Sequence, residues 1–389
     1  MSHRADEYPD LPFDKIEGSS YVLDLAAIRR NMRILERIQQ ESGCEILLAL
    51  KGFSTVAAFD TMRPFLAGCC ASGLWEAKLG REHFGKQVHT YSPAYTDRTF
   101  CEIAELSDHI TFNSVSQWRH FQERCNTDDS IKTGLRINPE CSTGEVAIYD
   151  PCAPFSRLGI RAKEIAEAGP SFLEGITGFH CHTLCQQYSG PLEKTLRAVE
   201  EKYGDWLGDL EWFNFGGGHN LTHSDYDLEH LISLVKAFSE KWGVHVYLEP
   251  GESQVYQTGF LVSTVLDIVH NEMDIAILDV SATSHMPDVL EMPYRAPLKD
   301  SGLPNEKNYT YRLGTPSCLA GDIIGDYSFD QPLKIGDRLV FEDQAQYTMV
   351  KTTFFNGVQH PSISVWDSEA GHFEVAKTFT FEDFLNHLK

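Results

Sequence analysis

The sequence has no apolar run of about 20 residues, the length that a helix needs to cross a lipid bilayer. Its opening segment, MSHRADEYPDLPFDKIEGSS, is polar and acidic and lacks the apolar core of a secretory signal peptide. Basic residues are scarce as well, since 33 lysines and arginines stand against 56 aspartates and glutamates, and the formal net charge is −23. These absences predict a soluble cytoplasmic protein without membrane contact, and the acidic surplus argues against a nucleic-acid partner.

Paired CxxC motifs are also absent. The ten cysteines are scattered along the chain, so we predict no metal site. The acidic surplus itself has two interpretations: it keeps the protein dissolved, or its electric field concentrates a cationic small-molecule substrate.

Eight short apolar runs of the kind that forms β-strands lie between residues 45 and 250, with helical patterns between them. They are EILLALK (45–51), FLAGCCAS (65–72), VHTYSP (88–93), HITFNS (109–114), KTGLRIN (132–138), ITGFHCH (176–182), WFNFGGG (212–218) and HVYLEP (245–250). Strands that alternate with helices form parallel sheets, and eight such units favour a closed (β/α)₈ TIM barrel. An open doubly wound sheet is the alternative, but its glycine fingerprint is missing after the first run, which ends in Lys51-Gly52-Phe53.

The pattern changes near residue 258, where long helical stretches stop. The β-type runs that follow are FLVSTVLDIV, DIAILDVSA, YTYRLG, DRLVFED, AQYTMVKTTFFNG, ISVWDSE and FEVAKTFT, before a short final helix in FEDFLNHLK. The early run SSYVLDL could add a strand to this part. The sequence therefore predicts an α/β barrel at residues 26–258 and a β-rich, sandwich-like or barrel-like domain built from residues 1–25 and 259–389.

Five chemically useful groups follow barrel strands directly: Lys51, Arg136, His182, the glycines 216–218 and Glu249. Active sites of such barrels lie at the C-terminal ends of the strands, so five groups at equivalent positions predict one site. Lys51 follows six mostly aliphatic residues, where a desolvated neutral amine could form an imine with a carbonyl compound. Alternatively, its side chain simply extends to solvent at the barrel rim.

The other strand-end groups also allow two interpretations. Three successive glycines let backbone N–H groups approach a phosphate, and a following helix would add its positive end; otherwise they form a flexible turn. Glu249 could hold the protonated nitrogen of a pyridine ring, or it could be a surface carboxylate before a Pro-Gly turn. Of the two histidines in FHCH, we expect only His182 to face the barrel mouth, with His180 on the opposite face in a structural role; this separation also disfavours zinc.

Seven motifs occur in a familiar order between about residue 20 and residue 360. They are LALKGF, FHCHTLCQQ, FNFGGGHN, LEPGE, TPSCLAGD, AQYT and FFNG. Together they resemble the alanine-racemase-like pyridoxal-phosphate (PLP) enzymes, and within them the group of ornithine and diaminopimelate decarboxylases. The resemblance implies that Lys51 binds pyridoxal 5′-phosphate, that His182 stacks on its ring and that Glu249 contacts the pyridine nitrogen. The residues implied to bind its phosphate are Gly216, Gly217, Gly218 and Tyr347.

The resemblance also implies a homodimer with active sites at the subunit interface. Cys318, in the second domain, would reach the site from the partner subunit and return a proton to the substrate carbon. The alternatives from the residues alone are an ordinary loop thiol and, for Asp322 in the same loop, a cation-binding carboxylate.

Departures from the family pattern bear on the substrate. Cys185 stands where a phosphate-binding serine is common, which leaves its contribution open. Glu252 replaces the arginine of EPGR, and Leu319 replaces the acidic residue after the loop cysteine. An arginine suits a second substrate carboxylate, whereas Glu252 suits an amine.

With SHMPDVLEMPYR, this combination most closely resembles the decarboxylases of carboxylated polyamines such as carboxynorspermidine and carboxyspermidine. We therefore expect Glu252, Asp288 and Asp322 to bind distal amines of a cationic substrate. Two alternatives stay open: a decarboxylase of diaminopimelate, ornithine or arginine, and a catalytically silent homologue that regulates a partner protein.

Overall fold

The structure, a computed structural model, describes residues 10–125, 130–144 and 146–389. Residues 1–9 of the polar opening segment therefore lie outside the described residues. The chain forms two compact units: one contains Arg30–Gln254, and the other contains the described residues up to Arg29 together with Val255–Lys389. Within the described residues, no helix is both long and apolar enough to span a membrane.

Strand β1 (Ser20–Asp24) opens the second unit, and helix α1 (Leu25–Ser42) follows it. Eight parallel strands then close into a barrel in sequence order, which confirms the predicted fold. These strands are β2 (Glu45–Ala49), β3 (Gly68–Ala71), β4 (Gln87–Tyr91), β5 (His109–Phe112), β6 (Lys132–Arg136), β7 (Gly178–His180), β8 (Trp212–Asn214) and β9 (His245–Leu248). Each one lies in, or begins one residue before, an apolar run that predicted it.

The helices between the barrel strands carry their apolar residues on one side. They are α2 (Phe59–Met62), α3 (Leu74–Leu79), α4 (Asp97–Leu106), α5 (Val115–Cys125), α6 (Ala162–Ala168), α7 (Ser189–Leu207) and α8 (Leu228–Trp242). In α7, for example, Leu192, Leu196 and Val199 are buried at spacings of three and four residues. Asp227 caps α8 by accepting a hydrogen bond from the His230 N–H.

One large ring fills much of the barrel interior. Trp212 packs with Leu47 and Tyr247 in an apolar cluster. Glycine is required on the neighbouring strand, because a Cβ at Gly178 would lie 2.1 Å from the Trp212 ring. The interior is thus filled by side chains, as is usual for this barrel.

A pair of stacked histidines lies in the same interior. The rings of His89 and His109 are parallel to within 8°, with centroids 3.8 Å apart, and both residues are buried. Burial lowers the pKa of His109 to about 4 and the pKa of His89 well below its ordinary value. Both imidazoles are therefore neutral at pH 7, since two charged rings could not share this stack.

We expect this pair to make the barrel sensitive to acid. The pKa of His109 is about 4 in the folded chain and about 6.5 in the unfolded chain, so the unfolded state binds more protons between these values. The stabilisation is present above pH 6.5 and is lost as the pH falls towards 4, amounting to about 2 kcal/mol by pH 5. Urea midpoints at pH 7 and pH 5 should differ less in His109→Gln than in the wild type. Replacement of the exposed His83 by Gln serves as the control, and an equal pH dependence in all three proteins would contradict the expectation.

The second unit is built on an eight-stranded mixed sheet in the order β13-β12-β11-β10-β1-β15-β16, with β14 paired to β10. Its strands besides β1 are β10 (Gly259–Asn271), β11 (Met273–Leu278), β12 (Tyr309–Gly314), β13 (Ile323–Phe329), β14 (Arg338–Glu342), β15 (Ser362–Asp367) and β16 (His372–Lys377). A register shift between Val265 and Asp267 divides β10, so that one half pairs with β1 and β14 and the other with β11.

Strand β1 is buried on both faces, which explains its nearly continuous apolar run. Tyr21 and Leu261 belong to one apolar cluster, whereas Val22 and Phe260 belong to another. Successive side chains of a strand point to opposite faces, so the sheet is covered on both sides here. The prediction that SSYVLDL adds a strand to this domain is confirmed.

The sequence missed one strand and misplaced another in this unit. β13 was not predicted, and the run AQYTMVKTTFFNG forms turns and short 3₁₀ segments instead of a strand. Its residues Tyr347 and Asn356 have φ values of 52° and 59°, which interrupt an extended backbone. The short helices are α9 (Ala282–His285), α10 (Asp288–Glu291) and the predicted final helix, α11 (Phe381–Leu388).

Candidate active site

The strand-end groups of the barrel meet at one end of the barrel unit. Lys51 lies two residues beyond β2 and is exposed, and Glu249 follows β9 directly. The positive charge of Lys51 contributes to the electrostatic environment of both Glu249 and His182. The structure therefore brings together the lysine, the histidine and the carboxylate that the sequence singled out.

Glu249 is a half-buried, ionised carboxylate with two side-chain donors. Its Oε1 accepts a hydrogen bond from Asn214 Nδ2 at 2.7 Å, and its Oε2 lies 3.1 Å from His180 Nε2. Burial raises the pKa of Glu249. His180, Asn214 and the charge of Lys51 together lower it by more, so the resulting pKa lies below the ordinary value. A fixed negative charge of this kind can stabilise a proton on a ring nitrogen.

The expectation for His180 was wrong. His180 is the last residue of β7 and lies on the same side as His182, with ring centroids 6.3 Å apart, because residues two apart on an extended strand share a face. Burial lowers the pKa of His180, so its neutral ring donates the Nε2 proton to Glu249 while Nδ1 has no partner among the described residues. His180 thus orients the carboxylate that the sequence analysis identified.

The sequence analysis disfavoured zinc because it expected His180 and His182 on opposite faces of the strand, and that argument therefore fails as well. Ligand atoms of His180, His182 and Glu249 all lie within 4.8 Å of one another. His180 supports Glu249 through a hydrogen bond, whereas His182 accepts its hydrogen bond from the Gly217 N–H.

His182 is fixed by the glycine segment that follows β8. Its Nδ1 accepts a hydrogen bond from the Gly217 N–H at 2.8 Å. Burial lowers the pKa of His182 well below its ordinary value, and the charge of Lys51 lowers it further. The ring is therefore neutral, and its plane is set by a backbone contact.

The three glycines approach neighbouring strand ends closely. A Cβ at Gly217 would lie 2.3 Å from the Glu249 carbonyl oxygen, and one at Gly218 would lie 2.1 Å from the Leu184 carbonyl oxygen. Gly216 and Gly218 also have φ values of 70° and 83°, which favour glycine. Helix α8 begins only at Leu228, so the predicted helix N-terminus does not follow the glycines directly.

Two of the three predicted phosphate donors already have partners within the chain. The Gly216 N–H donates to Asn214 Oδ1 at 2.7 Å, and the Gly217 N–H donates to His182. Among the described residues, the Gly218 N–H has no such acceptor and is the group that a phosphate would meet.

Arg136, the last residue of β6, fixes the same end of the barrel. Its guanidinium lies over the Tyr91 ring, 4.7 Å from the centroid, and donates to the His182 carbonyl oxygen at 3.0 Å. The Tyr91 hydroxyl donates in turn to Asn113 Oδ1 at 2.7 Å. These contacts hold the chain segment on which His182 lies.

The residues present fit pyridoxal phosphate. Lys51 offers an exposed amine, His182 a neutral ring and Glu249 a half-buried anion, all at one barrel end, and Gly218 offers a backbone N–H. An aldehyde, an aromatic ring, a ring nitrogen and a phosphate would each find a suitable group there.

A second carboxylate, Glu252, lies three residues beyond Glu249. Glu252 accepts hydrogen bonds from Gln186 Nε2 at 2.8 and 3.0 Å. Burial raises the pKa of the Cys185 thiol, the charge of Glu252 raises it further and the charge of Lys51 lowers it. Cys185 is thus within electrostatic reach of both Glu252 and Lys51.

The remaining predicted residues belong to the second unit. Cys318 is exposed in the loop between β12 and β13. Tyr347 is half-buried with φ 52°, a conformation uncommon for a bulky residue and often found at functional sites. Asp288 is paired with Lys351 Nζ at 2.5 Å, and Asp322 is buried and saturated with hydrogen bonds. Lys351 neutralises the charge of Asp288, and four protein donors surround Asp322, so contact of either carboxylate with a substrate amine stays a prediction.

Sequence reasoning missed Asn214 and Gln186. Asn214 was the single polar residue in the aromatic run WFNF, which was a usable signal. Gln186 gave none, because its role depends on a backbone with φ 50° in the loop after β7.

Comparisons with known proteins identify a family and relatives for most of the chain. The family model described as pyridoxal-dependent decarboxylase, C-terminal sheet domain, matches residues 20–345. The carboxyaminopropylagmatine decarboxylase of Synechocystis sp. is 47% identical over 370 residues, covering 95% of this chain and 94% of that protein. The carboxynorspermidine/carboxyspermidine decarboxylase of Campylobacter jejuni is 43% identical over 383 residues, covering 96% and 98%. The crystal structure of carboxynorspermidine decarboxylase complexed with norspermidine from Campylobacter jejuni superposes with a TM-score of 0.89 at 42% identity, covering 96% and 100%.

Proposed function

Since this chain belongs to the pyridoxal-dependent decarboxylase family, to which its match over residues 20–345 and its relatives at 43% and 47% identity assign it, we propose that it removes the α-carboxyl group of a carboxylated polyamine. The products are CO₂ and a linear polyamine such as norspermidine or spermidine. The observation that supports this substrate class is Glu252, an anion whose charge, like that of Lys51, acts on the Cys185 thiol, at a position where an arginine would suit a second substrate carboxylate.

The cofactor, when bound, supplies an electron-poor ring that accepts the electron pair left behind by CO₂. We assign Lys51 to covalent attachment of the cofactor, and Glu249 to stabilising the proton on its ring nitrogen. His182 would pack against the ring, and Gly218 and Tyr347 would bind the phosphate. The thiol of Cys318 would deliver the proton to the substrate carbon.

Glu252 suits an amine for electrostatic reasons. Gln186 donates to it through a neutral amide, which leaves the negative charge of the carboxylate in place for an ammonium group. A substrate with a distal carboxylate would instead meet a like charge. Polyamine tails are cationic, and the net charge of −23 attracts them over a longer range.

The relative at 47% identity supports a second candidate. Its substrate, as its name states, is carboxyaminopropylagmatine, which ends in a guanidinium group where carboxynorspermidine ends in an amine. Both substrates carry an α-amino-acid end and a cationic tail, so Glu252 suits either. The two substrates differ in the length and in the end group of the cationic tail.

A panel of substrates tests the proposal. CO₂ release should be fastest with carboxynorspermidine, carboxyspermidine or carboxyaminopropylagmatine, and slowest with diaminopimelate. Glu252→Arg should raise KM for the cationic substrates roughly 10- to 100-fold, because a favourable charge contact becomes repulsive, with a small effect on cofactor affinity. The matched control is Glu229→Arg, an exposed carboxylate on α8. Preference for diaminopimelate, or an unchanged KM in Glu252→Arg, would refute the amine site.

A homodimer and a cytoplasmic location are part of the proposal. The dimer follows from the family resemblance, in which the loop cysteine comes from the partner subunit. It is supported by apolar side chains that the barrel unit leaves exposed, among them Trp75, Ile148 and Phe155. The location is supported by ten free cysteines, which persist in a reducing compartment.

A further inference from the structure

The loop that carries Cys318 is held by one buried carboxylate. This loop, residues 315–322, connects the antiparallel strands β12 and β13. Asp322, its last residue, is 1% exposed. Oδ2 of Asp322 accepts hydrogen bonds from Thr315 Oγ1 at 2.6 Å and from Ser317 Oγ at 2.5 Å. A single oxygen atom therefore joins the beginning, the middle and the end of the loop.

The same carboxylate connects the loop to the segment before helix α9. Ser281 Oγ donates to Oδ2 of Asp322 at 2.7 Å, and the Thr283 N–H donates to Oδ1 at 2.8 Å. Burial raises the pKa of Asp322, but these hydroxyl and N–H donors lower it below the ordinary value. Asp322 is thus an ionised group whose four donors all come from the protein.

Cys318 itself has a separate anchor. Its N–H donates to Asn356 Oδ1 at 2.6 Å, and Asn356 adopts φ 59°, a left-handed conformation that asparagine tolerates better than most residues. The thiol remains exposed between two fixed points of the backbone. Such anchoring limits the positions that an otherwise flexible loop can give to the sulfur atom.

We propose that Asp322 is a positioning residue that orients the Cys318 thiol for proton delivery, and that it does not bind substrate. The inference rests on the proposed role of Cys318. Only a carboxylate accepts all four donors at once, because an asparagine in its place has one acceptor oxygen and an NH₂ group that would face a donor. Loss of the charge should therefore loosen the loop without removing the thiol.

A misplaced Cys318 thiol would change which carbon atom receives the proton. Loss of CO₂ breaks a carbon–carbon bond and leaves an electron pair, and a proton delivered to the substrate carbon gives the amine and restores the cofactor. If the proton instead reaches the aldehyde-derived carbon of the cofactor, hydrolysis by one water molecule gives an aldehyde and pyridoxamine phosphate. The ratio of aldehyde to amine thus reports the position of the proton donor.

The test compares Asp322→Asn with two reference variants in the full-length holoenzyme. Cys318→Ser removes the proposed donor. Asp326→Asn removes a carboxylate on the adjacent strand β13 that pairs with Arg312 at 2.8 Å and makes no contact with the loop in the described structure. Carboxynorspermidine turnover is analysed for aldehyde, amine and pyridoxamine phosphate, and amide hydrogen exchange of residues 315–322 is followed without substrate.

We expect Asp322→Asn to raise the aldehyde-to-amine ratio roughly tenfold, in the same direction as Cys318→Ser, and to accelerate exchange in the loop. Asp326→Asn should change neither. If Asp322→Asn folds poorly, the pair Thr315→Val and Ser317→Ala removes two donors and should shift the ratio in the same direction.

One outcome would overturn only the inference about Asp322. In that outcome Asp322→Asn exchanges faster in the loop but keeps the wild-type aldehyde-to-amine ratio, while Cys318→Ser changes the ratio. Asp322 would then have a purely structural role. A wild-type ratio in Cys318→Ser would overturn the proposed role of Cys318 and the inference with it.

Discussion

Replacement of Lys51 by alanine is expected to abolish decarboxylation, with a loss of roughly 10³-fold or more in kcat, because the proposed function makes Lys51 the amine that attaches the cofactor. Lys51 is exposed at the end of the barrel strand β2, and no other lysine lies among the strand-end groups of the described barrel. The visible absorption of the holoenzyme should disappear with the covalent link. Mass spectrometry after borohydride reduction should find the cofactor on Lys51 in the wild type.

Two controls separate chemistry from charge and folding. Lys51→Arg keeps the positive charge near Glu249 and His182 but has no reactive amine, so it should be as inactive as Lys51→Ala. Lys132→Ala removes a lysine from the start of β6, where it pairs with Glu211, and should retain activity. A visible band and normal turnover in Lys51→Ala would refute the assignment.

Lys51→Ala also tests whether the two subunits of the proposed dimer share their active sites. Mixed subunits of Lys51→Ala and Cys318→Ser should regain part of the amine-forming activity that each variant lacks alone. The reason is that a dimer in which both subunits contribute to each site would contain one site with both Lys51 and Cys318. No recovery after subunit exchange would argue that each site is built from one chain.

Glu249→Gln is expected to lower kcat roughly 10²- to 10³-fold while the cofactor still binds. Glutamine is nearly the same size, but it lacks the negative charge that stabilises a proton on the ring nitrogen. It also brings an NH₂ group against Asn214 or His180, both of which donate to the carboxylate. kcat and the affinity for pyridoxal phosphate would be measured separately, since the prediction concerns electron withdrawal more than binding.

Glu45→Gln is the matched control for this carboxylate. Glu45 lies at the opposite end of its strand and also contacts a histidine, His245, at 3.2 Å. The Glu45→Gln substitution should lower the free energy of unfolding and leave kcat near the wild-type value. A wild-type kcat in Glu249→Gln would show that the ring nitrogen needs no anionic partner in this enzyme.

The order of the barrel strands and the position of most site residues could be predicted from the sequence because each depends on local pattern. A buried parallel strand needs a short apolar run, and a barrel active site needs polar groups where those runs end. EILLAL followed by Lys51, and HVYL followed by Glu249, satisfy both conditions within one segment. Strand β13 was missed because IIGDYSF mixes apolar and polar residues without strict alternation.

The partners of those residues could not be predicted in the same way. His180 and Asn214 contact Glu249 from strands β7 and β8, across 69 and 35 positions of sequence, so only closure of the barrel brings them together. Asp322 shows the same limit: as a loop carboxylate near Cys318 it suggested a cation site, until Ser281 and Thr283 were found to donate to it from α9 and its cap.

The sequence by itself determined the eight-stranded barrel, the lysine and the carboxylate at its mouth, and the replacement of an arginine by Glu252, since these are properties of single segments. Only the tertiary structure decided which donors surround each acid. Asp288 is paired with the cation Lys351 and Asp322 accepts hydrogen bonds from four protein donors, whereas Glu252 accepts from the neutral amide of Gln186. The physical reason is that the charge a carboxylate offers to a ligand depends on the donors that already surround it, and those donors come from distant parts of the chain.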